Sequence, residues 1–330
     1  MKYLPVYKTF YSEKQSLYES IGLSLSPLKP YRLMKKLHEL NLLSLFIIEN
    51  QFDPFNDEDF LTAHSPHYVK NFFLGNTPYV NMNGLRWSEY FAESIRYTNS
   101  SLYNAQRFAI LNPNCITFSP TSGFHQASPE GGMSFCTFSG QVISAVKLYR
   151  EMNIKTAWLD LDGHLGTSIE DSRYYVPDLK FAIPIGMNLN PITTDNYHYI
   201  ENLTELLNNL ENEIMEGNIN SICFAQGADS HEWDDLAPMD SQLSTEKWIH
   251  AHRLVFEKIK KINIKMNRHI PLTLSLFGGH RKDNYDSVIN LHIYTLLSGL
   301  EILSQIKSNH SLIEDPIKKQ IYLQSMINSN

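Results

Sequence analysis

The stretch TAWLDLDGHLGTS, residues 156–168, sets Asp160, Asp162 and His164 at alternate positions directly after an apolar run. Side chains at every second position of an extended strand point to the same side. Three ionisable groups gathered at one strand end are costly to bury unless they pair or bind something. The same kind of residue follows three other apolar runs. CITFSP leads into TSGFHQAS with His125, SICFAQ into GADSHEWDD with Asp229, and LTLSLF into GGHRKD with His280. Glycines beside these residues let the backbone approach a site closely.

In open α/β sheets, ligands bind beyond the carboxyl ends of the strands, so four such ends point to one shared pocket. Asp162, His164 and Asp229 form a candidate metal set. Three protein ligands leave coordination open for water and substrate, the pattern of catalytic rather than structural zinc. Oxygen-rich ligation also suits Fe2+, Co2+ or Mn2+. Asp160 is placed to orient a histidine, and His125 is its candidate partner. Other polar residues read as structural. HEWDD (231–235) reads as an exposed acidic loop at the pocket rim. His250 and His252 lie two apart on a predicted helix and do not share a face. Cys136 has no evident base beside it and reads as a small buried hydrophobe.

The elements that position these residues follow from periodicity. Short β-branched or aromatic runs predict buried strands at 44–49, 115–120, 156–162, 181–185, 221–226 and 272–277. Longer periodic segments predict helices at 86–106, 139–152, 200–217, 244–262 and 284–303. Ser139 is the expected N-cap of the second and Gly217 the expected C-cap of the third. Strand followed by helix, repeated, means an α/β fold: a single, mostly parallel sheet with helices on both faces. Residues 186–199 read as a surface loop rather than a boundary, so 1–330 is expected to be one domain.

The chain has 330 residues, 42% of them hydrophobic, ample for one large core. Its net charge of −7 and the absence of any basic run give no support for a nucleic-acid surface. Three cysteines without a C-x-x-C pair predict a reducing compartment. No signal-like N-terminus and no run of about 18 apolar residues is found, so a cytoplasmic protein without a membrane partner is expected. The oligomeric state stays open.

The ordered set SGFHQASPEGGMSFCTFSGQVISAVKLY, LDLDGHLGT, FAQGADSHEWDDL and LFGGHRKDNY resembles the histone deacetylase family, which includes acetylpolyamine amidohydrolases. The upstream NDEDFLTAHSPHYVKNFF and NGLRWSEYFAESIRYTNSSLYNAQ are similar too, so the likeness spans roughly residues 3–305. The resemblance implies the arginase/deacetylase fold with a parallel sheet of about eight strands. It implies Zn2+ held by Asp162, His164 and Asp229, leaves room for a structural monovalent cation, and implies an acylated small amine or acyl-lysine as substrate. It matches His125 to the first histidine of a catalytic pair, Asp160 to the aspartate that orients it, and Phe124, Phe135 and Gly279 to the substrate channel. His280 stands where most members have a tyrosine that hydrogen-bonds the substrate carbonyl.

The departures are equally specific. The second catalytic histidine is Gln126, its aspartate falls at Thr167, and Leu165 replaces a neighbouring histidine. Glutamine takes no proton near pH 7, and threonine offers a histidine no charge. Members with histidine at the tyrosine position are poor deacetylases of ordinary acetyl-lysine. The rim aspartate that grips substrate backbone has no match; Asn81 and Asn83 stand nearby. The resemblance therefore implies either a hydrolase with an atypical substrate or reduced activity, or a metal-binding pseudoenzyme that recognises an acylated ligand or protein partner.

Overall fold

The computed structural model describes residues 2–18, 22–192, 198–238 and 242–305. These residues form a seven-stranded sheet: β1 Tyr7–Phe10, β2 Phe46–Glu49, β3 Ile116–Ser119, β4 Thr156–Asp160, β5 Asn188–Leu189, β6 Ser221–Gly227 and β7 Leu272–Phe277. Every pairing is parallel, in the order β2-β1-β3-β7-β6-β4-β5. Parallel strands need long crossovers, and helices supply them here. The expected α/β class and parallel sheet are observed, with seven strands rather than about eight.

Strands β3, β4, β6 and β7 are buried along their whole length. That explains their continuous apolar runs, since both faces are covered. Ser119 of β3, in register with Ser275, bonds Ser101 of the helix Glu89–Leu111 at 2.7 Å. Phe224 of β6, in register with Leu274, packs on Phe256 of the helix Thr245–Met266. Residues 274 and 275 alternate, so these two helices cover opposite faces. Helix Tyr285–Ser304 joins the second face, where Tyr7 donates to the Leu296 carbonyl at 2.7 Å. This helix is long and apolar enough by composition to cross a membrane, yet 94% of its apolar window is buried in the protein.

One strand expectation fails, and one loop expectation fails in part. The run at 181–185 is not a strand: Leu179–Ala182 is a short helix, and Pro184 has no N–H to give a ladder. The sheet instead ends on the two-residue β5, inside the stretch read as loop, and the helix Tyr199–Met215 starts at that stretch's last residue. Residues 193–197 of that stretch lie outside the described residues. β1 went unpredicted because four residues carry too little periodicity. Ser139 stands at the N-cap of Gly140–Met152 without capping it; its hydroxyl donates to the Ala127 carbonyl at 3.1 Å. Gly217 follows Tyr199–Met215 with φ +80°, a left-handed conformation that glycine adopts without strain.

Candidate metal centre

Strands β3, β7, β6 and β4 are neighbours, so their carboxyl ends open onto one place. His125, His280, Asp229 and the 160–164 segment therefore meet, as the strand ends predicted. Two glycines permit the closeness. A Cβ on Gly227 would lie 1.8 Å from the Leu161 carbonyl oxygen, and one on Gly278 would lie 2.0 Å from Asp229 Oδ1.

Donor atoms of Asp162, His164 and Asp229 all lie within 4.8 Å of one another. His164 Nδ1 is 3.2 Å from Asp162 Oδ1 and 2.9 Å from Asp229 Oδ2. One ring N–H cannot serve two carboxylates fully, whereas a cation between the three donors satisfies all of them. The second oxygen of Asp229 accepts the Gly163 N–H at 2.8 Å, and Asp162 accepts the His164 N–H at 2.9 Å. The two aspartates are fully buried while His164 keeps 36% of its side chain exposed, on the open side. Two buried carboxylates and an imidazole, oriented by backbone amides, fit a divalent cation.

His125 lies alongside. Its Nδ1 is 2.9 Å from Asp160 Oδ2 and its Nε2 is 3.6 Å from Asp162 Oδ2. Burial pushes the imidazole down, but Asp162, Asp160 and Asp229 outweigh it and raise His125 to about 9. Hydrogen bonds to Asp162 and Asp229 raise His164 to about 10. Burial pushes the Asp162 carboxyl up, yet His125 and His164 hold it below its usual range. Gly166 packs against the dyad; a Cβ there would sit 3.0 Å from the His125 Cβ.

His280 differs. Its Nε2 is 3.7 Å from Asp229 Oδ2, its ring is 5.4 Å from that of Phe135, and burial depresses it to about 4. Its Nδ1 is buried and has no hydrogen-bond partner among the described residues. Phe135 is half-buried with φ +64°. Phe124 and Gly279 are buried, Phe124 against Phe277 and Gly279 against Val288. Gln126 donates from Nε2 to the Leu165 carbonyl at 2.8 Å, and Thr167 Oγ1 is buried without a partner among the described residues. Asn83 is buried and structural: it donates to Thr137 Oγ1 and accepts the Leu85 N–H. The Cys136 thiol is buried and raised by that burial, which keeps it protonated.

Two residues escaped the sequence reading. Lys29 is fully buried, and its ammonium donates to the Gly278 carbonyl. Burial lowers it to about 8 against the pull of Asp229 and Asp162. Asp234, within the supposed exposed loop, is 8% exposed and accepts the His280 N–H.

Residues 25–182 match the family model of the histone deacetylase domain, a little under half of the chain. Over these residues the chain is similar to the histone deacetylase domain. The matched segment contains His125, Gln126, Asp160, Asp162 and His164, and stops before Asp229 and His280. The chain is also similar to the HDA15 HD domain, whose crystal structure superposes with a TM-score of 0.64 at 13% identity. That alignment covers 99% of this chain and 96% of the other, and shows the shared fold over the C-terminal half too. Comparison with curated proteins by sequence finds no match. A chain similar to the histone deacetylase domain thus combines the parallel sheet, a His–Asp pair and an Asp–His–Asp cluster with glutamine, leucine and threonine at 126, 165 and 167.

Proposed function

We propose that this protein is a zinc-dependent amidohydrolase of deacetylase type that removes an acyl group from an acylated amine or lysine. One observation carries the reading: the Asp162–His164–Asp229 cluster, with donors within 4.8 Å, adjoins an intact His125–Asp160 pair at 2.9 Å. A divalent cation bound there would polarise the acyl carbonyl and lower the pKa of a water molecule. His125 does the proton work. Asp160 holds its Nδ1, leaving Nε2 to take a proton from water and return it to the leaving amine. Two of the three aspartates that raise His125, Asp162 and Asp229, are those a cation would neutralise, which brings its pKa back towards that of a general base. His280, kept neutral by burial, offers an N–H to the oxyanion. Gln126 takes no part in proton transfer; its amide is tied to Leu165. General acid–base help is worth about 10²–10⁴-fold, so a site with one dyad instead of two is slow rather than inert.

The test is acid release by zinc-loaded protein from acetyl-lysine, acetylpolyamine and trifluoroacetyl-lysine. Turnover lost in His125→Ala supports the reading. Absence of turnover across the panel, or full turnover by His125→Ala, sinks it. A second reading, a metal-binding pseudoenzyme for an acylated ligand, is favoured by Gln126 and Thr167 departing together. Gln126→His combined with Thr167→Asp separates the two. A large gain marks an impaired deacetylase site, whereas no gain beside native turnover of another amide marks a re-specialised hydrolase.

A further inference from the structure

The segment HEWDD was expected to be an exposed acidic loop; Glu232 and Asp235 are exposed, His231 and Asp234 are buried, and all four side chains accept or donate hydrogen bonds within the protein. His231 Nδ1 accepts the Trp233 N–H at 3.1 Å. Glu232 Oε1 accepts the Thr245 N–H at 2.8 Å, at the start of helix Thr245–Met266. Asp234 accepts from two segments at once: Oδ1 from Leu236 N at 3.0 Å and Oδ2 from His280 N at 2.6 Å. Asp235 Oδ2 accepts the Lys282 N–H at 2.9 Å. With His231 Nε2 donating to Thr245 Oγ1 at 3.0 Å, four side chains in five residues fasten the chain after Asp229 to a helix start and to the loop bearing His280.

That loop needs fastening. Gly278 and Gly279 have φ of +57° and +92°, a conformation in which glycine resists no alternative. Among the described residues His280 Nδ1 has no hydrogen bond to anchor it, and its Nε2 stands 3.7 Å from the Asp229 carboxylate. The bond from its backbone N–H to Asp234 Oδ2 at 2.6 Å is therefore the hydrogen bond that holds this residue, two positions beyond the Gly278 carbonyl that accepts from Lys29. The short, charge-assisted bond to a buried carboxylate is the strongest kind available for the purpose.

We propose that Asp234 is a positioning residue for His280, and that residues 231–235 are a clip fixing the distance between Asp229 and His280. Asparagine is a poor replacement. Both carboxylate oxygens accept, so Asp234→Asn keeps one acceptor and turns an NH2 donor towards the other N–H. The clip itself is independent of the reaction; only its effect on ligand binding rests on the hydrolase reading.

The experiment uses full-length, zinc-loaded protein and follows the His280 ring by 1H–13C NMR, assigned with His280→Gln. Asp234→Asn and Asp234→Ala are expected to shift or broaden the His280 resonance and leave those of His125 and His164 in place. Binding of acetohydroxamate, a bidentate metal-binding probe, is expected to weaken about tenfold. In a His280→Ala background Asp234→Ala is expected to add nothing to that loss. Leu203→Ala, in the outer helix Tyr199–Met215, controls for general destabilisation and is expected to lower Tm without moving His280. An unmoved His280 resonance in folded Asp234→Asn, an equal shift in Leu203→Ala, or additive losses in the His280→Ala background would each overturn the proposal. If the unsubstituted protein does not bind the probe, the hydrolase reading fails while the NMR still decides the clip.

Discussion

The two sides of the pocket bury a histidine each and treat it oppositely. His125 sits against carboxylates and is raised to about 9; His280, nearly as enclosed, is depressed to about 4. Burial disfavours charge in both, so the sign is set by what faces the ring. Asp160 and Asp162 lie within 2.9 and 3.6 Å of His125 nitrogens. Asp229 is 3.7 Å from His280, and the neighbouring Lys29, His164 and His125 oppose its pull. One side is built to carry a proton, the other to stay neutral.

The comparison breaks most completely at the shared aspartates. Asp229→Ala removes a proposed ligand and a charge that acts on both histidines, and Asp162→Ala removes a proposed ligand and the charge beside His125. Zinc retention measured by metal analysis after gel filtration is expected to be lost. Gly278→Ala comes next: its Cβ meets Asp229 Oδ1 in a left-handed backbone, so zinc affinity is expected to fall about 10- to 100-fold. Competition with a chelating dye reads the affinity.

Smaller and sharper is the pH dependence of stability in zinc-free protein. His125 gains affinity for its proton on folding, so its contribution is complete below about pH 6.5 and is lost as pH rises towards 9. His280 does the reverse: the unfolded chain binds its proton first, so stability falls as pH drops from about 6.5 towards 4. Urea unfolding across pH is expected to lose part of its alkaline slope in His125→Gln. His280→Gln loses part of the acid slope only, because the buried His64, His231 and His252 are depressed as well. Unchanged alkaline slope in His125→Gln would refute the assigned contrast. The smallest effect is expected at Leu165→Ser. Its side chain is 57% exposed and Gln126 holds only its carbonyl, so stability should change by about 0.5 kcal/mol or less by urea unfolding.

Much of the frame was legible because its signals are local. Continuous apolar runs marked β3, β4, β6 and β7, and the residue following each run marked the pocket. Alternation in residues 160–164 placed Asp160 and Asp162 together correctly. What escaped was decided by distant partners. Lys29 looks like any surface lysine in SPLKPYR until Gly278, 249 positions away, accepts from it. Asp234 looks like a solvated acid, yet it is buried and its partner is the amide at 280. The apolar run at 181–185 resembled a strand because burial alone does not distinguish a strand from a short helix.

The strand order also constrains how the molecule comes into being. β6 and β7 are made late in the chain but stand between β3 and β4 in the sheet. Until residue 277 has left the ribosome, β1, β2 and β3 share no pairing with β4 and β5. The first half, which holds Asp162 and His164, would wait on the second for both a complete ladder and Asp229. The pocket is therefore completed by the last step of sheet closure, and a nascent chain ending at Ala182 would carry the site's vocabulary without being able to assemble it.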